Sequence, residues 1–209
     1  MSLTLHIGNK RLSSWSMRPW LALKKAGIAF TENVIPLDQD DTRETLLALS
    51  PAATVPVLQK DDLTIWDSLA ICEWAAEQVP SLWPADPVQR ARARAVTASM
   101  HSGFGALRST LSMDLQRPVG QTSVDVACWA DIERMEALWA AAKTGNGLYL
   151  FGDWSIADAF FTPVATRFQT YDIPLSSASR AYVDALLADP VYQDWRAAAL
   201  EESFNAPFH

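Results

Sequence analysis

Two adjacent serines, Ser13 and Ser14, lie just before the first predicted helix, and their position is the first indication of chemistry. Proline is tolerated in the first turn of a helix, so Pro19 predicts a helix that begins near Trp15 or Ser16. A helix N-terminus presents unpaired N–H groups and a positive dipole end, which favour an anion. A thiolate there would have a lowered pKa, and a serine hydroxyl could hydrogen-bond to it. The alternative is that these serines only cap the helix.

A second candidate is the pair Val55-Pro56, at the start of a predicted strand. Proline can begin a strand only where its absent N–H is not needed. The Val55–Pro56 bond could be cis, which would turn the backbone of Val55 outward to pair with a ligand as an added strand does. A trans proline at a strand edge is the ordinary alternative.

A third candidate is the pair Asp67-Ser68, where a predicted strand meets a predicted helix. The pair can cap the helix, and it can equally bind an α-amino acid head group. In the second case Asp67 would face the ammonium, while Ser68 and the adjacent N–H groups would hold the carboxylate.

Apolar periodicity and turn residues predict the elements that position these candidates. Residues 1–79 follow the order strand, helix, strand, helix, strand, strand, helix, which describes an α/β unit on a mixed four-stranded sheet. Three prolines within 80–87 predict a linker. Residues 88–209 are predicted to be all-helical and to begin with one long helix over 88–115. We therefore predict two domains joined by this linker.

The order of these motifs resembles the glutathione-binding half of the cytosolic glutathione transferases. In the helical half, the run 152–158 is similar to the capping box of that family's sixth helix, with Ser155 and Asp158 placed to satisfy each other's N–H groups. The resemblance covers essentially the whole chain, and the segment at residues 13–16 is most similar to the serine-type branch, including the zeta class. It implies a thioredoxin-like N-terminal domain followed by an all-α domain.

The resemblance also implies roles for individual residues. Ser13 aligns with the serine whose hydroxyl stabilises the glutathione thiolate, and Ser14 is the second candidate because an offset of one residue is possible. The remaining implied contacts are Trp15 with a ligand, Val55 with the cysteinyl backbone beside a cis Pro56, and Asp67 and Ser68 with the γ-glutamyl end.

The second substrate is expected between the two domains, against the first helix of the helical half. Thr97, His101, Phe104 and Arg108 recur at i, i+4, i+7 and i+11, so one face of the predicted long helix would carry all four. His101 and Arg108 could bind an anionic or polar electrophile, with Phe104 beside them. The alternative is a solvated stripe with local ion pairs.

The implied activity is that of a glutathione transferase, in which the thiolate attacks a small electrophile, and the implied assembly is a homodimer. A glutathione-dependent isomerase of the maleylacetoacetate type would use the same site, although such an enzyme would carry cysteine where this chain has Trp15. The same residues are also compatible with a non-catalytic glutathione-binding or ligand-binding protein, and with a stress-response regulator that only uses the fold.

Composition restricts the classes of partner. The chain has 209 residues, with 24 acidic and 17 basic side chains and a formal charge of −7, which disfavours nucleic acid and anionic membranes. No apolar run approaches the length that spans a bilayer, and the N-terminus lacks signal-peptide features, so a cytoplasmic location is expected. Two cysteines and three histidines without paired spacing predict neither a disulfide scaffold nor a metal site.

Overall fold

The computed structural model describes residues 3–37 and 39–203. Its N-terminal part contains a mixed four-stranded sheet. The spatial order is β2-β1-β3-β4, with β1 parallel to β2, antiparallel to β3, and β3 antiparallel to β4. This arrangement confirms the predicted fold class. The strands are β1 (Leu3–Gly8), β2 (Thr31–Ile35), β3 (Val57–Lys60) and β4 (Leu63–Ile65).

Within the described residues, two α-helices lie between strands along the chain and seven follow the last strand. No helix within residues 3–37 and 39–203 is both long enough and apolar enough to cross a bilayer. The helices are α1 (Ser14–Lys25), α2 (Thr42–Leu49), α3 (Ser68–Gln78), α4 (Pro87–Ser102), α5 (Gly105–Thr110), α6 (Val126–Ala142), α7 (Ile156–Thr170), α8 (Ser177–Leu187) and α9 (Pro190–Glu201).

Helix α1 begins earlier than the sequence predicted. Ser13 is its N-cap and Ser14 its first residue, one residue before the expected start near Trp15 or Ser16. Pro19 lies beyond the first turn, where its ring removes one backbone hydrogen bond. The cap at Ser13, rather than the proline, therefore sets the beginning of the helix.

The predicted long helix over 88–115 is also wrong, because the chain breaks it into α4 and α5. Phe104 adopts the left-handed conformation with φ of 60°, which ends helical geometry there. A Cβ at Gly103 would come within 2.7 Å of the carbonyl oxygen of Ser99, so only glycine fits the turn. The segment 80–87, which the sequence predicted to be a linker, contains a 3₁₀ turn at Pro80–Leu82. Its role as a linker between two domains stays a prediction.

Helices α1 and α7 lie at the centre of the molecule. Helix α1 packs against α3, α7 and α9, while α7 packs against α1, α4 and α8. Neighbours cover α1 from several directions, so its polar residue Arg18 is buried along with Met17 and Leu21. Most of the buried apolar side chains of sheet and helices form one continuous core.

The start of α7 carries the capping box expected from the sequence. The carboxylate of Asp158 accepts the backbone N–H of Ser155 at 2.8 Å and its hydroxyl at 3.1 Å. The hydroxyl of Tyr182 in α8 donates to the other carboxylate oxygen at 2.7 Å. This buried carboxylate therefore fixes the start of α7 relative to α8.

Candidate active site

The loop between β1 and α1 is fixed by two acidic residues from the helical half. Glu202 accepts the backbone N–H groups of Lys10 and Arg11 at 2.6 and 3.0 Å. Arg11 in turn donates from Nε and Nη2 to the two carboxylate oxygens of Asp114, at 2.6 and 2.7 Å. The loop that delivers the chain to Ser13 thus has a fixed conformation.

The serine hydroxyls at the start of α1 differ in what they bind. Ser13 Oγ accepts the N–H of Ser16 at 3.3 Å and donates to Ser16 Oγ at 2.7 Å, while Ser16 Oγ accepts the N–H of Gly8 at 3.1 Å. These contacts engage Ser13 in capping. Ser14 Oγ, by contrast, lies 3.5 Å from Nη2 of Arg167, at the long limit for a hydrogen bond. Its hydroxyl hydrogen is therefore available to a ligand.

The Val55–Pro56 peptide bond is cis, as the resemblance implied. Val55 is half-buried and precedes β3, whereas Pro56 is buried. Among the described residues, no backbone group donates to or accepts from the N–H or C=O of Val55. An extended ligand could form these two hydrogen bonds.

Asp67 and Ser68 open helix α3 as predicted. Oδ1 of Asp67 accepts the N–H groups of Leu69 and Ala70 at 3.0 and 3.3 Å, so the carboxylate caps the helix. Its side chain is nevertheless 45% exposed and so remains accessible to a cation. The hydroxyl of Ser68 is buried and has no hydrogen-bond partner within the described part of the chain. An unpaired buried hydroxyl at a helix start suits a carboxylate ligand.

Two buried arginines, Arg18 and Arg167, were not expected as site residues. Arg167 approaches Ser14, and Arg18 lies one turn further along α1. The guanidinium of Arg18 stacks on Trp15 at 4.1 Å and on Phe160 at 4.6 Å. Within the described residues, Nε and Nη1 of Arg18 and Nε of Arg167 have no hydrogen-bond partner. Such buried unpaired donors are costly unless a ligand accepts from them.

Burial lowers the pKa of Arg18 to about 9, and the neighbouring cations Arg167 and Arg108 contribute to this lowering. Burial and Arg108 likewise lower the pKa of Arg167 to about 10. Both side chains stay protonated at neutral pH. The site therefore holds concentrated positive charge, which an anionic ligand would relieve.

Of the four residues expected on one helical face, His101 and Arg108 lie next to Trp15. The His101 ring meets Trp15 edge-on with centroids 5.3 Å apart, and the Arg108 guanidinium lies 5.2 Å from the Trp15 ring. Phe104 instead packs under the guanidinium of Arg134 at 4.2 Å, because the helix breaks at that residue. We therefore leave Phe104 out of the proposed site.

Thr97 and the cysteines are engaged in the core. The hydroxyl of Thr97 donates to the carbonyl of Ala93 at 2.8 Å. Cys72 is buried, and burial raises the pKa of its thiol far above the usual value, so it is not a nucleophile. Cys128 is buried as well. Across residues 3–37 and 39–203, no group of three or more His, Cys, Asp or Glu side chains is arranged to hold a metal ion.

The sheet, the cis proline before β3 and the polar start of α1 define a thioredoxin-like N-terminal region followed by a helical one. Residues 12–78 match the family model "Glutathione S-transferase, N-terminal domain". The chain is 32% identical to the maleylacetoacetate isomerase of Rattus norvegicus over 170 residues, covering 78% of this chain and 76% of the relative. It is also 32% identical over 173 residues to the stringent starvation protein A homolog of Histophilus somni, with 78% and 76% covered.

A solved structure of a glutathione transferase homolog is similar to this chain over almost its whole length. The glutathione transferase homolog from Burkholderia, solved with bound glutathione, superimposes with a TM-score of 0.76 at 26% identity, covering 97% of this chain and 100% of that one. The chain belongs to the glutathione S-transferase family. The expected class of enzyme, a glutathione S-transferase with zeta-type relatives, is confirmed.

Proposed function

We propose that the chain binds glutathione at the N-terminus of α1 and activates its sulfur as a thiolate for attack on an anionic electrophile. The observation that carries this proposal is the approach of Ser14 Oγ and Arg167 Nη2, 3.5 Å apart at the start of α1. A hydroxyl donor, a helix dipole and a buried cation all favour an anion at that point. Together they would lower the pKa of a bound thiol.

The chemical step needs no covalent bond to the protein. The thiol proton leaves to solvent, and the thiolate electron pair forms a carbon–sulfur bond with the electrophile. In a substitution the leaving group takes the bonding pair, and in an addition the electrophile takes up a proton from solvent. The protein contributes thiolate stabilisation and positioning.

We assign the thiolate donor to Ser14, the second of the two serines expected. Ser13 Oγ already accepts one hydrogen bond and donates another within the cap, so its donation to sulfur would require the Ser16 contact to break. Ser14 Oγ can donate without losing any contact to another hydroxyl. Ser13 then contributes by shaping the start of the helix.

The peptide part of glutathione would bind along the edge of the sheet. The free N–H and C=O of Val55 would pair with the cysteinyl residue. Asp67 would receive the γ-glutamyl ammonium, and the unpaired Ser68 hydroxyl would donate to the adjacent carboxylate. Trp15 would lie between this ligand and the second substrate, since its ring contacts both Arg18 and Arg108.

The second substrate is proposed to carry a carboxylate or a similar anion. Arg18 and Arg108 lie against the Trp15 ring, and Arg167 approaches the adjacent Ser14. Three buried N–H donors of Arg18 and Arg167 have no acceptor within the described residues. A neutral electrophile would leave them unpaired, at a cost of about 1–3 kcal/mol for each.

A conjugation assay tests this function directly. Purified protein would be given glutathione with matched pairs of electrophiles that differ only in a carboxylate or its methyl ester. We expect a higher kcat/KM for the carboxylates. Equal rates for each pair would remove the anionic substrate, and no conjugation above the uncatalysed rate would remove the transferase function.

A glutathione-dependent cis–trans isomerase is the second candidate, and the arginine cluster favours it because maleylacetoacetate is an anion. The relative from Rattus norvegicus carries that name. Trp15, which occupies the position where such an isomerase would carry cysteine, counts against it. Conversion of maleylacetoacetate without net consumption of glutathione would support the isomerase.

Two non-enzymatic roles can be distinguished in the same experiments. Tight glutathione binding without turnover across the electrophile panel would indicate a binding protein. Capture of a specific protein partner, with no glutathione affinity, would indicate a stress-response regulator; the Histophilus somni relative is named a stringent starvation protein A homolog. We also propose a cytoplasmic homodimer, which light scattering of the purified chain and cell fractionation would test.

A further inference from the structure

His101 binds the carboxylate that opens helix α3. Its Nε2 lies 2.9 Å from Oδ2 of Asp67, while the other oxygen of Asp67 accepts two backbone N–H groups of α3. Both carboxylate oxygens are thus held, one by its own helix and one by α4. The His101 contact therefore connects α4 of the helical half to the N-terminus of α3.

The His101 ring itself is held on several sides. It meets Trp15 of α1 edge-on at 5.3 Å and lies 6.0 Å from Phe160 of α7. Its Nδ1 is buried and has no hydrogen-bond partner among the described residues. These contacts restrict rotation of the ring and keep Nε2 directed at Asp67.

The surroundings of His101 favour its neutral form. Burial lowers its pKa, and the cations Arg18 of α1 and Arg108 of α5 lower it further, while Asp67 opposes them. A neutral imidazole can donate Nε2–H to Asp67 without cancelling the negative charge of the carboxylate. The full charge of Asp67 therefore remains for a cationic ligand.

We propose that His101 is a positioning residue for glutathione, which orients the carboxylate of Asp67 toward the γ-glutamyl ammonium. This role rests on the proposed function and replaces the direct contact with the electrophile that the sequence suggested. The Asp67 side chain is 45% exposed and the His101 side chain 24%, so a ligand can reach the carboxylate while the histidine holds it from within.

The test compares His101→Ala with His101→Gln, whose amide can donate from a similar position. Steady-state rates would be measured at saturating electrophile, giving KM for glutathione and kcat separately. We expect His101→Ala to raise this KM about tenfold, the effect of one hydrogen bond to a charged group, with little change in kcat. His101→Gln should recover most of the affinity, which a purely packing role of the ring would not allow.

A glutathione analogue that lacks the γ-glutamyl amino group, glutaryl-cysteinyl-glycine, makes the test specific for the ammonium. Its inhibition constant should be the same for the parent protein and for His101→Ala. An unchanged KM for glutathione in His101→Ala, or an equal loss of affinity for both ligands, would overturn the positioning role. If the parent protein bound neither ligand, the proposed function itself would fail.

Discussion

The guanidinium of Arg167 and the hydroxyl of Ser14 approach to 3.5 Å, although the two residues are 153 positions apart in the chain. Arg167 lies in α7 and Ser14 opens α1, so the site requires the packing of these two helices. Its chemistry therefore depends on the whole fold rather than on the N-terminal half alone.

Removing the Arg167 charge should make the thiolate form of bound glutathione less stable relative to the thiol. We expect Arg167→Met to raise the pKa of the glutathione thiol bound to the protein by roughly one unit, because a nearby cation favours the anion. The thiolate absorbance of the complex, followed against pH, measures this. The exposed Arg92 offers a control, and Arg92→Met should leave the titration unchanged. Equal pKa values for all three proteins would exclude Arg167 from the thiolate site.

Arg108 should act on the electrophile rather than on the thiol. Its guanidinium lies over the Trp15 ring and donates to the carbonyl of His101 at 3.4 Å, with no hydrogen bond to either serine hydroxyl at the start of α1. We expect Arg108→Met to lower kcat/KM for a carboxylate-bearing electrophile about tenfold, because it removes one charge-assisted contact. The methyl ester of the same electrophile should react at an almost unchanged rate. A similar loss for both compounds would assign Arg108 a structural role.

The Arg11–Asp114 ion pair should stabilise the fold above pH 4. Burial alone would raise the pKa of Asp114, but the hydrogen bonds from Arg11 and from backbone N–H groups outweigh it and lower the pKa. A carboxyl whose pKa is lower in the folded state contributes stability above its unfolded pKa of about 3.9, and loses it as the pH falls through the folded value.

Denaturant unfolding at several pH values checks this contribution. Asp114→Asn should lower the free energy of unfolding at pH 7 by about 1–3 kcal/mol, since it removes the charge from the acceptor of two Arg11 hydrogen bonds. The gap between variant and parent should narrow as the pH falls below 4. A gap that stays constant across this range would show that the carboxylate charge is not responsible.

The buried carboxyl of Asp158 should have the opposite pH dependence. Burial raises its pKa to about 6, against hydrogen bonds from Tyr182, Ser155 and Leu150 that act to lower it. The folded state therefore takes up a proton between the unfolded pKa, near 3.9, and 6. This group favours folding most below pH 4, and its contribution is lost as the pH rises through 6.

Asp158→Asn removes that titration and also weakens the start of α7. We expect it to lower the free energy of unfolding by about 1–3 kcal/mol at pH 7, because donors from Ser155 and Tyr182 lose a charged acceptor. Calorimetric unfolding between pH 4 and 7 should give a flatter pH dependence for the variant. Parallel curves for the two proteins would contradict the raised pKa.

Much of the N-terminal half could be predicted from the sequence because its signals are local. Strand alternation, the Val55-Pro56 pair and the Asp67-Ser68 cap are each read within a few residues, and their order along the chain carried the resemblance. The α4–α5 break was missed because helical spacing was followed through Gly103. The two glycines that flank Phe104 were the signal that could have shown it.

Arg18 and Arg167 depend on long-range packing and, unlike Arg108, were not predicted as site residues. Helical spacing places Arg18 away from the apolar side chains of α1, yet α3, α7 and α9 cover that helix. Arg167 had a usable signal, since it is the one basic residue within α7. The sequence could not show which serine hydroxyl is free to donate. The structure shows it, because Ser13 Oγ donates to Ser16 Oγ whereas Ser14 Oγ only approaches Arg167.

The pKa of the bound glutathione thiol in Ser14→Ala and Ser13→Ala tests the central claim most directly. We predict that Ser14→Ala raises this pKa by roughly one unit or more and lowers turnover about 10²-fold, the usual loss for one such donor. Ser13→Ala should mainly lower the free energy of unfolding, by about 1 kcal/mol, as expected for a lost N-cap. A raised thiol pKa in Ser13→Ala together with an unchanged one in Ser14→Ala would contradict the assignment, and a parent protein that holds no thiolate at neutral pH would contradict the mechanism.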